Sequence, residues 1–215
     1  MNYPTLVEIF IVGGDYMELS ERLKPYCDAL VKGMEDENWY LALMAAFTLP
    51  DICTSLEGKT GKESGPAYIK WFDDYVTQYR IPKGRKNAKV TNLPDGGTVT
   101  SWKKSDPVLY KPFFSGVNAY ALRCTFLHSG GGEVATQPVY KGKSEDVLLG
   151  IKKVKFIKHL TNLHTEQTDN TIRLNPRHYC QAILDGVDEW IDSIQKDNKR
   201  KQKVLYYTKN LIIFE

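Results

Sequence analysis

The chain has 215 residues, 42% hydrophobic and 26% charged, and its 29 Lys and Arg against 26 Asp and Glu give a net charge of +3. That composition excludes a disordered or fibrous chain, and the length is enough to bury a sizeable core. The charge is too small to mark a nucleic-acid binder by itself and too near neutral to exclude one.

Thr5–Val12, broken by Glu8, reads as a short strand and lacks the cationic start of a secretory signal. From Tyr16 to Met34, Leu19, Leu23, Tyr26, Cys27, Leu30, Val31 and Met34 recur at helical spacing. Glu35-Asp36-Glu37-Asn38 ends that pattern and offers Asn38 as the cap of a second helix. The second helix carries Trp39, Ala42, Leu43, Ala46 and Phe47, then Ile52, Cys53 and Leu56. Pro50 in its middle lacks an amide donor and is expected to kink or restart it. Gly58 to Gly65 reads as a polar loop. Pro66 suits the start of a third helix, with Tyr68, Trp71, Phe72, Tyr75, Val76 and Tyr79 as an aromatic stripe. Base-stacking aromatics come with arginines, and Arg80 alone is near, so the stripe reads as a packed face.

From Lys83 to Lys104 the chain is basic and strand-like. Val90, Leu93, Val99 and Trp102 flank Pro94-Asp95-Gly96-Gly97 as a hairpin or extended loop. Ser115 is placed to cap a helix from Gly116 to His128, stopped by Ser129 and three glycines. Strands are expected at Val134–Tyr140, Lys153–Leu160 and Thr171–Leu174, with Thr165–Asn170 as a polar turn. Asn175-Pro176 opens a long helix that buries Tyr179, Ile183, Val187, Trp190 and Ile194. The basic run Lys199–Lys203 leads into Val204–Tyr207 and Leu211–Phe214, read as a terminal strand or hairpin. The sum is a single domain over 1–215, mainly α (α+β). Its helical core covers about 16–130 plus 176–197, and β-hairpin elements are inserted or appended at about 83–104, 134–174 and 203–215.

No apolar run approaches the roughly 20 residues of a membrane span. The four cysteines, Cys27, Cys53, Cys124 and Cys180, are scattered without a C-x-x-C pair. Together these point to a reducing, cytoplasmic setting without structural zinc. Gly58-Lys59-Thr60 and Gly142-Lys143-Ser144 carry only the tail of a phosphate-binding loop. The leading glycine would fall at Cys53 and at Gln137, so neither is one. Gly130-Gly131-Gly132 follows a helix rather than a strand and is no dinucleotide fingerprint. No cofactor or metal is expected.

The chemistry-bearing candidate is Tyr120-Ala121-Leu122-Arg123-Cys124-Thr125-Phe126-Leu127-His128-Ser129-Gly130. Arg123 and His128 lie five apart, about 140° around a helix. His128 sits in the last turn, where the chain loosens and the helix dipole favours the imidazolium. A guanidinium beside a titratable imidazole suits phosphodiester work: one holds phosphate oxygens, the other moves a proton near neutral pH. Arg173-x4-His178 repeats the spacing but spans a strand-to-helix junction with Pro176 inside it, and is set aside.

Arg123-x4-His128, on a helix in a mostly helical domain, resembles the R-x(4–6)-H motif of HEPN domains, which include metal-independent RNases of toxin–antitoxin, antiviral and CRISPR systems. The wider pattern is similar to a HEPN-related group of bacterial proteins. It comprises Trp39 and Ala42 leading to Leu49-Pro50-Asp51-Ile52-Cys53 and Glu57, then Trp71-Phe72-Asp73-Asp74-Tyr75, then Gly116 and Tyr120–Gly130. The resemblance loosely covers 16–130. It implies a helical bundle that pairs about a two-fold axis as a homodimer, both motifs facing one cleft. It further implies His128 as general acid/base, Arg123 as phosphate clamp, Asp51 as orienting group and RNA as substrate, with an antitoxin or other protein as a further partner. Cys124 stands where active members commonly carry a polar residue.

The residues also admit a structural reading. Arg123 would pair with Asp51 or Glu57 to orient helices, His128 would cap its own helix, and the module would recruit RNA, a nucleotide or a protein without cleaving. His159, His164 and His178 have no ligand partners at metal spacing. The basic clusters Lys83–Lys89 and Lys199–Lys203 read as solvated surface or as rims that track an RNA backbone. Asp185, Asp188, Glu189 and Asp192 make the last long helix acidic on its outer face.

Overall fold

The structure is a computed structural model, and it describes residues 14–85, 89–92, 98–101, 108–112, 114–140, 151–158, 160, 167–168, 170–208 and 211. The Thr5–Val12 strand and, within the expected polar turn 165–170, residues 165, 166 and 169 lie outside them, while Gln167–Thr168 form a short strand.

The described residues form a mainly α protein with small β elements. The helices are α1 (Gly14–Glu35), α2 (Trp39–Leu56), α3 (Ser64–Tyr75), α4 (Gly116–Ser129), α5 (Pro176–Gln195) and α6 (Asn198–Thr208). The strands are β1 (Arg80–Arg85), β2 (Lys89–Asn92), β3 (Thr98–Ser101), β4 (Val108–Pro112), β5 (Lys153–Phe156), β6 (Gln167–Thr168) and β7 (Thr171–Leu174). Short 3-10 turns cover Gly61–Glu63, Thr77–Tyr79 and Pro138–Tyr140.

α2 is the axis of the bundle, packed by α1, α3, α5 and α6. Asn38 caps it, its Oδ1 accepting from the Leu41 amide at 3.3 Å. Its apolar content is high enough to meet the length and hydropathy of a membrane span, but half of it is buried inside the protein, as a core helix requires. Pro50 neither breaks nor restarts the helix: α2 runs unbroken through it, and Pro50 is itself buried. The Pro50 carbonyl is taken by the Thr54 hydroxyl at 2.9 Å. Asp51 therefore sits mid-helix rather than in a first turn.

The aromatic stripe of α3 is core, as its spacing implies. Tyr68, Trp71, Phe72, Val76 and Tyr79 are all buried. Phe72, Tyr79, Phe114 and Tyr179 meet in one knot, with ring centroids 5.7–6.5 Å apart, a range in which offset and edge-on rings attract. Gly186 lets α5 approach α3 closely, since a Cβ there would stand 3.1 Å from the Trp71 ring.

Between α3 and α4 the chain makes a two-tier antiparallel ribbon, in which β1 pairs with β4 and β2 with β3. The hairpin expected over 83–104 is thus the tip of a longer ribbon, and the ladder shifts register between Pro82 and Gly84. A third sheet has the order β5-β7-β6, with β5 and β7 parallel. The parallel β5–β7 pair is not a hairpin, whereas β6 and β7 are antiparallel neighbours, Thr168 facing Thr171, with Asn170 at φ 59° just before β7.

Two expected strands are absent. Val134–Tyr140 is a turn followed by a 3-10 turn, because the Val134 and Ala135 amides both reach the Lys152 carbonyl and end the pairing after a single bridge at Glu133. Val204–Tyr207 lies inside helix α6. Asp197 starts that helix, its Oδ1 accepting from the Lys199 and Arg200 amides at 3.0 and 3.1 Å, and Val204 is buried in the common core. Of Leu211–Phe214 only Leu211 is described.

Candidate functional site

α4 is fixed at both ends. Ser115 Oγ lies 3.5 Å from the Asn118 amide, and the Gly116 amide donates to Asp73 Oδ1 at 2.7 Å. Gly116 must be glycine: a Cβ would fall 2.2 Å from the Ile69 carbonyl oxygen. At the other end Gly130 takes the left-handed φ of 65° and its amide closes on Phe126 O at 2.8 Å. This is the glycine stop read from the sequence.

Residues 116–119, 121, 122 and 125 of α4 are buried, whereas 120, 123, 124 and 126–129 keep some exposure. At about 100° per residue Arg123 and His128 stand about 140° apart on an open arc, and Phe126 and Ser129 extend the exposure beyond it. Tyr120 and Cys124 lie between them.

Arg123 and Asp51 are brought together. Arg123 Nε donates to Asp51 Oδ2 at 2.9 Å, and Nη2 reaches the same oxygen at 2.8 Å. Both side chains are about a quarter exposed, 24% and 25%. Among the described residues the third nitrogen, Nη1, has only the Cys124 sulphur, at 4.0 Å. Partial burial pushes the Asp51 carboxyl up, and Arg123 offsets this only in part. Burial works against the Arg123 charge, but Asp51 and Cys124 outweigh it and hold the guanidinium above its ordinary range. Tyr120 packs on Tyr68 with centroids 5.4 Å apart, and its hydroxyl comes to the backbone of Gly65.

His128 stands exposed in the last turn of α4, without a hydrogen bond or ion pair among the described residues. Within one chain, then, Arg123 joins Asp51 and not His128.

Glu57 belongs elsewhere. Its carboxylate takes the Trp190 indole N–H at 2.7 Å and the Arg200 Nη2 and Nε at 2.8 and 3.2 Å. Arg200 also donates to Tyr75 Oη at 3.1 Å and Ser193 Oγ at 3.3 Å. This network ties α6 to α2, α3 and α5. The sequence gives no local signal for it, since Arg200 lies 143 residues from Glu57 within a run of solvated lysines.

The His178 ring Nδ1 is buried without a partner among the described residues, while its amide donates to Asn175 Oδ1 at 3.3 Å. His159 and His164 lie outside the described residues. Among the described residues no three of His, Cys, Asp and Glu converge as a metal site would require. Cys27, Cys53 and Cys180 are buried free thiols, and Cys124 is half-buried and free. Sequence reasoning also missed a cavity beside the glycine end of α4, because its walls come from α2, α4 and β5.

Comparison with family models, with curated proteins and with solved structures finds no match for this chain.

Proposed function

We propose that this chain is a HEPN-like protein that acts on RNA, cleaving it without metal at a cleft formed by two copies. The observation that carries the reading is the open arc of α4. It presents Arg123, already oriented by Asp51 and with Nη1 turned to no carboxylate among the described residues, about 140° around the helix from His128. A guanidinium fixed in advance can take a non-bridging phosphate oxygen and offset charge as it develops, without reorganising. His128 would move the proton of the attacking 2′-hydroxyl or of the leaving oxygen. His128 of one chain supplies one of these two roles, and a two-fold pair supplies both.

A second reading is favoured by the Asp51–Arg123 contact itself. A carboxylate on two of the three guanidinium nitrogens already answers the charge that a phosphate would meet, so the pair would be a clasp in a binding module for RNA, a nucleotide or a protein.

The test is incubation of labelled mixed-sequence RNA with the wild type, Arg123→Ala and His128→Ala in EDTA, each sized by light scattering. Cleavage by a dimer to 2′,3′-cyclic phosphate ends, lost in both equally folded variants, supports the nuclease. An inert, well-folded wild type whose Arg123→Ala form melts lower leaves the clasp.

A further inference from the structure

We infer that the cavity at the glycine end of α4 is a subsite for one unpaired nucleobase of an RNA strand. This rests on the RNA-directed reading above and names the part of the substrate that reading leaves open.

The cavity, about 280 Å³, is walled by Trp39, Tyr40 and Leu43 from α2, Phe126 from α4, and Phe156 with Lys158 at and after β5. Gly130–Gly132 complete it, and Gly130 is two residues beyond His128. The volume sits just below that of pockets for drug-sized ligands, so it suits one ring system and excludes a duplex or a folded peptide. The glycines keep the wall thin: a Cβ on Gly132 would lie 2.1 Å from the Val154 carbonyl oxygen.

Two features favour a base over a plain apolar guest. Tyr40 is 74% exposed and stacks on Phe126 at 6.2 Å and 28°, leaving an aromatic platform at the mouth. Rings of this kind stack on any nucleobase. Positive charge also stands at the mouth, where Lys158 is exposed. An anionic strand entering beside His128 would meet it.

The experiment uses the full chain carrying His128→Ala, so that RNA stays intact, and measures anisotropy of a labelled single-stranded RNA and of an abasic ribose-phosphate oligomer of equal length. Tyr40→Ala and Lys158→Ala alter exposed side chains, and thermal melts confirm that each folds. Tyr40→Ala is expected to weaken RNA binding by about tenfold or more and to leave the abasic oligomer unaffected. Lys158→Ala should reduce the slope of log affinity against log salt by about 1 for both ligands. RNA bound equally by the parent and Tyr40→Ala overturns the subsite and leaves the RNA reading standing. No RNA binding by either the wild type or the His128→Ala protein overturns the RNA reading, and the subsite with it.

Discussion

Trp190, fully buried in α5, donates its indole N–H to Glu57 at the C-terminal end of α2, although the two residues are 133 positions apart. Arg200 closes on the same carboxylate from α6, which makes Glu57 the point where three helices meet. Trp190→Phe keeps the ring and removes one donor, and should cost about 1–2 kcal/mol. Glu57→Ala leaves a buried N–H and a half-buried guanidinium unanswered, and should cost about 2–4 kcal/mol. Urea unfolding reads both, and hydrogen exchange in Glu57→Ala should show α6 losing protection before α2. Equal protection of α6 in wild type and variant would refute the tie.

The Asp51–Arg123 contact and His128 separate in the same kind of measurement. Asp51→Ala removes the carboxylate that, among the described residues, alone meets the Arg123 guanidinium, which is three-quarters buried, and should cost about 1–2 kcal/mol. His128→Ala changes an exposed side chain without partners and should cost less than about 0.5 kcal/mol. A large loss on His128→Ala in the denaturation midpoint would show that the histidine holds the fold.

α5 carries a built-in acid dependence. Burial foremost, with Asp185 and Asp192 adding repulsion, pushes the Asp188 carboxyl from its ordinary 3.8 up to about 6. The folded chain therefore holds this proton more tightly than the unfolded chain. The contribution of Asp188 is most favourable below about pH 4 and is lost as pH rises through about 6. Asp188→Asn should raise the melting temperature at pH 7 and leave it unchanged at pH 4. Because the side chain is exposed to water, the gain is about 1 kcal/mol or less. A melting temperature lowered at pH 7 would contradict the sign.

The thiols should divide one against three. Burial foremost pushes Cys27 and Cys180 up to about 12 and Cys53 well above its usual range, while Cys124 is only half-buried on the open arc of α4. A thiol reagent at pH 8 should label one cysteine in the native protein and all four after unfolding, and peptide mapping should find the native label on Cys124. Rapid native labelling of Cys53 would place α2 outside the core.

The helices were legible because their signals are local. The stretch Tyr16–Met34 emerges as Gly14–Glu35, and Gly116–His128 as Gly116–Ser129, each bounded by the residues that cap or stop it. α6 was not legible. Val204-Leu205-Tyr206-Tyr207 has the branched and aromatic character of a strand, and the helical evidence is the four-residue step from Arg200 to Val204 and Thr208, which matters only once Glu57 and the core are in place. The parallel β5–β7 pairing was hidden for the same reason, since register between distant segments leaves no trace in either one. In the site, Asp51 and Glu57 stood out as carboxylate partners for Arg123 because both belong to the pattern that carries the resemblance. Choosing between them needed the packing of α2 against α4 on one side and α6 on another.

Asp51 and Glu57 also make α2 a part of fixed length. They stand six residues apart on one unbroken helix, about 240° around its axis, and each is bolted to a different neighbour. Adding or removing one residue between them would rotate one carboxylate by about 100° relative to the other. Side chains along that stretch are free to vary in size and polarity where packing allows, but the count of residues is not. The tolerance of this protein for insertions should therefore fall to its minimum between positions 51 and 57 and rise again directly after Glu57, where the loop from Gly58 begins.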